Sequence, residues 1–304
     1  MSHTPFCTIG NISIDDLVFE DGSTMWKVPG GNAVYSALGI AVWQEKPAVI
    51  APVGPEYPTE AVGGLIDLSH CRPIERTLRN WGLYEEGGTR IFTFRTKTRN
   101  WADFSPVAAD LDTFTCDFAH LAPLRWELQI ELTRLLRQNG TRVISVDPDD
   151  RYLHELDHKT MLALLNTVDL FVPSKQDAEA LLPNKTPVEA LRYLRDAAPE
   201  LPMIAIKLGD NGVIMHPAGS SDYYQVPTVA EEVVDTTGAG DAFSGGALTG
   251  YAKTRSPIES ILWGSVSASF AVAAMGPAGL VAAKPAEAQS RLDRLRPRLD
   301  AHAL

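Results

Sequence analysis

The run Val233-Val234-Asp235-Thr236-Thr237-Gly238-Ala239-Gly240-Asp241-Ala242-Phe243-Ser244-Gly245-Gly246-Ala247-Leu248 constrains this chain more than any other stretch. It reads as the end of an extended segment, a tight glycine turn and a helix of small residues. Gly238, Ala239 and Gly240 carry almost no side chain, so successive backbone N–H groups can close on an anion. The positive end of the following helix adds to the same spot. Asp241 falls in the first helical turn, where a carboxylate repels the anion that the loop attracts. It makes sense there as a general base toward an attacking hydroxyl. Read alone, the run also fits a plain turn followed by an Asp that complements the helix dipole.

Around this run the chain alternates strand and helix patterns. Cys116 to Leu121, Thr141 to Val146, Val168 to Val172 and Met203 to Leu208 read as apolar strands. Leu124 to Asn139 reads as an amphipathic helix with Leu124, Leu128, Leu132, Leu135 and Leu136 on one face. That alternation predicts an α/β fold with a parallel, doubly wound sheet covered on both faces. Phe6 to Ile14 reads as a first strand ending in Asp15 and Asp16. Pro257 opens a further helix, and Pro285 to Leu299 reads as the last one. Ile261 to Ala283 has no charged residue and is long enough to span a bilayer, but Gly276-Pro277 breaks it. A buried core helix followed by a loop is the better reading.

At 304 residues and 45% hydrophobic content the chain can bury one large core or two modest ones. A net charge of −11 argues against nucleic acid or an anionic membrane as the main partner. A phosphate site must then draw its positive potential from glycine turns, helix N-termini and single cations. Cys7, Cys71 and Cys116 show neither a disulfide framework nor zinc spacing. Met1 to Asp15 has no signal-peptide pattern, and together these imply a cytoplasmic protein. There is no P-loop, no third glycine for a dinucleotide fingerprint, no nucleophile elbow and no histidine cluster.

The run Asp235 to Leu248, D-T-T-G-A-G-D-A-F-S-G-G-A-L, resembles the C-terminal signature of the PfkB, or ribokinase-like, carbohydrate kinases. That resemblance implies a ribokinase-like, mostly parallel sheet with helices on both faces and a small β lid. It implies one domain over residues 1–304 with lid segments near 16–30 and 84–104. It makes Asp241 the base and Gly238-Ala239-Gly240 the anion hole of an ATP- and Mg²⁺-dependent kinase. Asp235 and Thr237 match positions that hold a monovalent cation, often K⁺.

Elsewhere the resemblance implies that Asp15, spaced from Gly10 as in the family, accepts hydrogen bonds from sugar hydroxyls. Gly30 and Gly31 match the family's N-terminal glycine pair. Tyr35 stands where many sugar kinases have an Asn, which suggests a flatter, more apolar pocket wall. Arg95, on the strand-like run Arg90 to Arg95, would reach an anionic or polyol group. Arg151, in Asp147-Pro148-Asp149-Asp150-Arg151, would lie near the substrate or the transferring phosphate. Ser174-x-x-Asp177 replaces the family's N-x-x-E, with Asp177 toward Mg²⁺ or, equally, in a helix cap with Ser174. Lys207, Gly209 and Gly212 would face the nucleotide, and Gly276 and Gly279 would line the adenine pocket. The acceptor implied is first a sugar or polyol, second a nucleoside, third a sugar acid. The alternative of another class is a ligand-binding or regulatory protein that kept the fold without turnover. A short lid leaves monomer and homodimer equally open.

Overall fold

A computed structural model describes residues 2–62, 64–85, 90–98 and 101–304. Parts of the expected 84–104 lid segment, residues 86–89 and 99–100, lie outside the described residues. The centre is a nine-stranded sheet. From one edge it runs Ala48–Ile50, Ser2–Ile9, Phe114–Leu121, Val143–Val146, Leu170–Phe171 and Met203–Lys207, all parallel. It then turns antiparallel through Val213–Pro217, Asp222–Val226 and Asp300–Ala303.

The apolar runs are buried on both faces, as parallel strands require. Along Met203–Lys207, Met203 and Ala205 enter one core while Ile204 and Ile206 enter the other. The first core lies under the helices Asn32–Ala41, Ala239–Thr254 and Pro257–Ala271. The second lies under Trp126–Gln138, His158–Leu165 and Pro187–Ala197. The doubly wound α/β arrangement is therefore as expected. The uncharged segment Ile261 to Ala283 is a buried helix and a loop: Ile261, Leu262, Val266 and Phe270 are core residues. Among the described residues no helix is long and apolar enough to cross a membrane.

Small residues in the helix Ala239–Thr254 set how close its neighbours come. A Cβ on Gly245 would lie 1.9 Å from the Ser36 carbonyl oxygen. Only glycine lets the helices Asn32–Ala41 and Ala239–Thr254 meet backbone to backbone. That contact places Tyr35, one residue before Ser36, beneath the start of the second helix.

Three boundaries differ from the sequence reading. The first strand ends at Ile9, and after a turn the chain starts a separate strand, Ser13–Val18. Asp15 and Asp16 sit inside that strand, not at the end of the first. Ser13–Val18 belongs to a four-stranded sheet with Thr24–Gly30, Leu78–Tyr84 and Arg90–Phe94. The lid is thus a four-stranded sheet that also takes in Leu78–Tyr84, which begins before the expected 84–104 segment. Leu78–Tyr84 escaped notice because its parallel partner lies far upstream in sequence. The last helix stops at Leu295, and a short 3₁₀ turn leads to the exposed edge strand Asp300–Ala303. Pro297 within that turn supplies the physical reason, since proline ends a helix.

Candidate active site

The parallel strands end in a cleft, the usual ligand position for an open α/β sheet. Asp147 follows the strand Val143–Val146, Ser174 follows Leu170–Phe171, and Lys207 closes Met203–Lys207. These converge on the N-terminus of the helix Ala239–Thr254. The resulting cleft has a volume of 320 Å³ and is lined by Asp147, Asp149, Arg151, Ser174, Asp177, Lys207, Gly238, Gly240 and Asp241.

Gly238 caps the helix at φ 71° and ψ 4°, a left-handed conformation. A Cβ there would also lie 2.1 Å from Cδ1 of Tyr35. The position therefore needs glycine for both its φ and its space. Lys207 lies against Gly240, since a Cβ on Gly240 would sit 3.4 Å from Nζ. Its ammonium is ion-paired with the buried Asp147 carboxylate. Ser244, one turn into the helix, donates from Oγ to Asp147 Oδ2 at 3.2 Å. This ties the strand end to the anion helix.

Burial, with neighbouring charge added, raises two of the carboxylates in this small cleft. Asp241 is partly accessible, yet its carboxyl is pushed up to about 8 by burial first, then by the charges of Asp147 and Asp177, against the pull of Lys207. Burial pushes Asp147 up to about 7; Lys207 pulls it back and Asp177 adds to the rise. Asp177 is buried and forms a capping box: its Oδ2 accepts from the Ser174 N–H at 2.6 Å, and its own N–H donates to Ser174 Oγ at 3.1 Å. Asp177 also lines the cleft, so cap and cleft positions coincide. Arg151 reaches the cleft mouth with its side chain 60% exposed, held in a two-point pair to Asp149 at 2.8 and 2.6 Å.

The second group is built from the lid. Asp15 Oδ1 accepts from Ser13 Oγ at 3.0 Å and from Asn80 Nδ2 at 2.9 Å. Asn80 is its register partner on Leu78–Tyr84. Gly30 backs onto the same carboxylate, since a Cβ there would meet Asp15 Oδ2 at 2.1 Å. Gly31, at φ 105°, precedes the helix that carries Tyr35. Burial raises Asp15 to about 6; Asn80 and Ser13 oppose the rise, while Asp16 and Asp235 add to it. Tyr35 is buried, and its phenol is pushed well up by burial and by Asp15, Asp235, Tyr84 and Asp241. The ring lies against the glycine loop at Gly238.

A third group surrounds Asp235 and Thr237. Asp235 Oδ1 accepts from Arg90 Nη1 at 3.2 Å and from the Thr237 N–H at 3.0 Å. Its Oδ2 accepts from the Gly276 N–H at 3.2 Å. The Arg90 guanidinium thus takes the position where the resemblance implied a monovalent ion.

Other predicted residues lie apart. Arg95 is ion-paired with Asp16, which also takes a two-point pair from Arg79 at 2.6 and 2.8 Å. Asp15 and Asp16 point to opposite faces of their strand, so Arg95 serves the other side of the lid. There it stacks 4.4 Å from the Trp81 ring centroid and lines a separate groove of 680 Å³. Gly209 and Gly212 form the turn after Lys207, with Gly212 packed on the Val226 carbonyl. Gly279 packs on the Phe270 carbonyl. None of these three lines the cleft among the described residues. Sequence reasoning assigned no role to Asp147, Asn80 or Arg90. Asp147 had a signal, being a strand-end acid within the segment that carries Arg151. Asn80 and Arg90 had none, because only sheet register and tertiary folding bring them in.

The cleft thus brings an acid, a lysine and an arginine to the N-terminus of one helix. Comparison with known proteins gives the family. The chain belongs to the pfkB family of carbohydrate kinases, whose family model matches residues 6–283. It is a phosphotransferase with a hydroxyl acceptor. A cytidine kinase of Thermococcus kodakarensis is 28% identical over 257 residues, covering 83% of this chain and 89% of that one. A 2-dehydro-3-deoxygluconokinase of Haemophilus influenzae is 38% identical over 134 residues, covering 42% and 41% of the two chains. Among solved structures, Arabidopsis thaliana ribokinase complexed with ribose and ATP aligns at TM-score 0.72 and 18% identity, covering 96% and 99%. At that identity it supports the fold alone.

Proposed function

We propose that this protein is an ATP-dependent kinase that phosphorylates a hydroxyl of a nucleoside, with a free sugar as the second reading. The single observation that carries the kinase assignment is Asp241 beside the Gly238 loop on the cleft with Lys207 and Arg151. The nucleoside reading rests on the cytidine kinase, a relative matched over most of its length, and on the Tyr35 ring against the glycine loop. The sugar reading keeps Asp15 as its support, because a carboxylate with two side-chain donors already in place suits paired hydroxyls.

In this mechanism Asp15, Asn80 and Gly30 hold the acceptor from the lid side. Asp241, in its ionised form, accepts the proton of the acceptor hydroxyl as its oxygen bonds to the γ-phosphorus, so turnover should rise with pH toward about 8. The bond from that phosphorus to the β,γ-bridging oxygen breaks, and ADP leaves. The Gly238–Gly240 amides and Lys207 carry the charge that spreads over the transferring oxygens. Arg151 steadies the phosphates at the mouth. The cleft fits Mg²⁺ held mainly by nucleotide phosphates, since Asp147, Asp177 and Asp241 line it and would offer carboxylate oxygens. Bound there, Mg²⁺ would neutralise phosphate charge. Among the described residues no group forms a metal cage by itself.

The test is ADP release measured with a panel of nucleosides, sugars, polyols and sugar acids. A nucleoside should give the highest kcat/KM. Turnover confined to free sugars would move the acceptor to the second reading. No turnover with any member, together with no binding of an ATP analogue, would remove the kinase assignment.

A further inference from the structure

The buried carboxylate of Asp235 opens the glycine loop and accepts from Arg90, from the Thr237 N–H and from the Gly276 N–H. Arg90 begins the lid strand Arg90–Phe94, whose register sets it opposite Tyr84. From there its Nη1 reaches across to Asp235 Oδ1 and donates also to Thr237 Oγ1 at 2.5 Å. The Tyr84 hydroxyl lies 3.4 Å from the same Thr237 oxygen. Both Asp235 oxygens are thus engaged, one by Arg90 and the Thr237 N–H, the other by the Gly276 N–H. The Asp235 side chain is 1% exposed and that of Arg90 29%. A monovalent ion needs several oxygens turned toward one point. Here the key oxygens already face N–H donors, and a second cation beside the guanidinium would be repelled.

We propose that Arg90 is the resident cation of the anion loop, so that phosphoryl transfer needs no monovalent ion and the loop is ordered only when the lid strand is in place. Thr237 immediately precedes Gly238, so a lid that lifts Arg90 away loosens the residue that sets the left-handed turn. Arg90 is a positioning residue; it acts through Asp235 and Thr237. The activity half of this inference rests on the kinase reading above.

The experiment compares wild type, Arg90→Ala and Arg90→Gln in potassium chloride and in choline chloride at equal ionic strength. Turnover, thermal melting and hydrogen exchange of the 234–240 amides are read. Wild-type turnover and melting should be the same in both salts. Arg90→Ala should lose roughly 10- to 100-fold in kcat, as expected for a removed charge-assisted hydrogen bond. Added K⁺ or guanidinium ion should restore part of it and raise the melting temperature of the variant alone. Its 234–240 amides should exchange faster. Arg90→Gln keeps a polar side chain of shorter reach without the charge and replaces the alanine variant should that fail to fold. Activation or stabilisation of wild type by K⁺ overturns the proposal. So does a variant whose loss is insensitive to both cations and whose loop exchange is unchanged. If wild type turns over no acceptor, the kinase reading falls, while melting and exchange still decide the role of Arg90.

Discussion

Replacing Asp241 by Asn tests the chemistry and the electrostatics of the cleft together. The variant keeps the shape and removes both the base and a charge held in an unfavourable place. The folded state holds the Asp241 proton up to about pH 8, whereas an unfolded aspartate releases it in the ordinary acidic range. Between those limits the folded state binds more protons, so stability falls as pH rises and levels off above about 8. At about 1.4 kcal/mol per pH unit the cost has a ceiling of about 6 kcal/mol above that point. Lys207 stays within reach and water enters the cleft, so about 1–3 kcal/mol is expected in practice. Asp241→Asn should therefore be more stable than wild type by an amount that grows from pH ~4 and levels off above pH ~8, and equal to it below pH ~4. Its kcat should fall by about 10²–10⁴ or more, the usual share of a general base. Binding of a non-hydrolysable ATP analogue should be unchanged or tighter. Urea unfolding across pH reads the stability, and ADP release reads the turnover. A variant with wild-type turnover and the same pH–stability profile would refute both halves of the reasoning.

Asp15 rises to about 6, so acceptor KM should fall as pH increases through that value while KM for ATP stays flat; Asp15→Asn should raise acceptor KM about 10- to 100-fold. A pH-independent acceptor KM would take Asp15 out of the acceptor site. Lys207→Met leaves Asp147, already raised to about 7, without its cation, so the cost should be small at neutral pH and grow toward about 3–5 kcal/mol as pH rises, with Asp147→Asn in the same chain recovering most of it in denaturant titrations. Gly238→Ala meets a left-handed φ worth about 1–2 kcal/mol and, in addition, the Tyr35 ring. Adding Tyr35→Ala should relieve the collision but not the φ cost, so a double-mutant cycle should show coupling; strict additivity would argue against the contact.

What the sequence makes legible is what short-range physics specifies. The glycine turn, its helix and Asp241 are contiguous, and the structure keeps them as one unit. The strands Met203–Lys207 and Val143–Val146 are recognisable because burial on both faces leaves an unbroken apolar run. The lid is harder to read. Ser13–Val18 carries two acids yet is almost wholly buried, because Asp16 is neutralised by Arg79 and Arg95 from strands distant in sequence. Asp300–Ala303 is exposed throughout and joins the sheet only by edge pairing, so no alternation announces it. Arg90 reads as one more surface arginine until the sheet register sets it over Asp235.

The same contrast divides the site itself. On the proposed kinase reading, Asp147, Asp177, Lys207 and the 238–241 turn would serve the phosphate, each placed by a strand end or a helix start. Asp15, Gly30, Tyr35 and Asn80 would serve the acceptor, placed by pairing within the lid sheet and by the helix that follows it. The halves touch where the Tyr35 ring lies against Gly238. A change in that ring shifts the acceptor floor and the anion turn at once, so acceptor choice and transfer rate should not evolve independently at this position. The lid has a second hold on the turn, through Arg90 and Thr237. Lid closure over an acceptor would then complete the phosphate site through two contacts, one under the glycine loop and one beside it. That arrangement favours transfer to a bound hydroxyl over transfer to water.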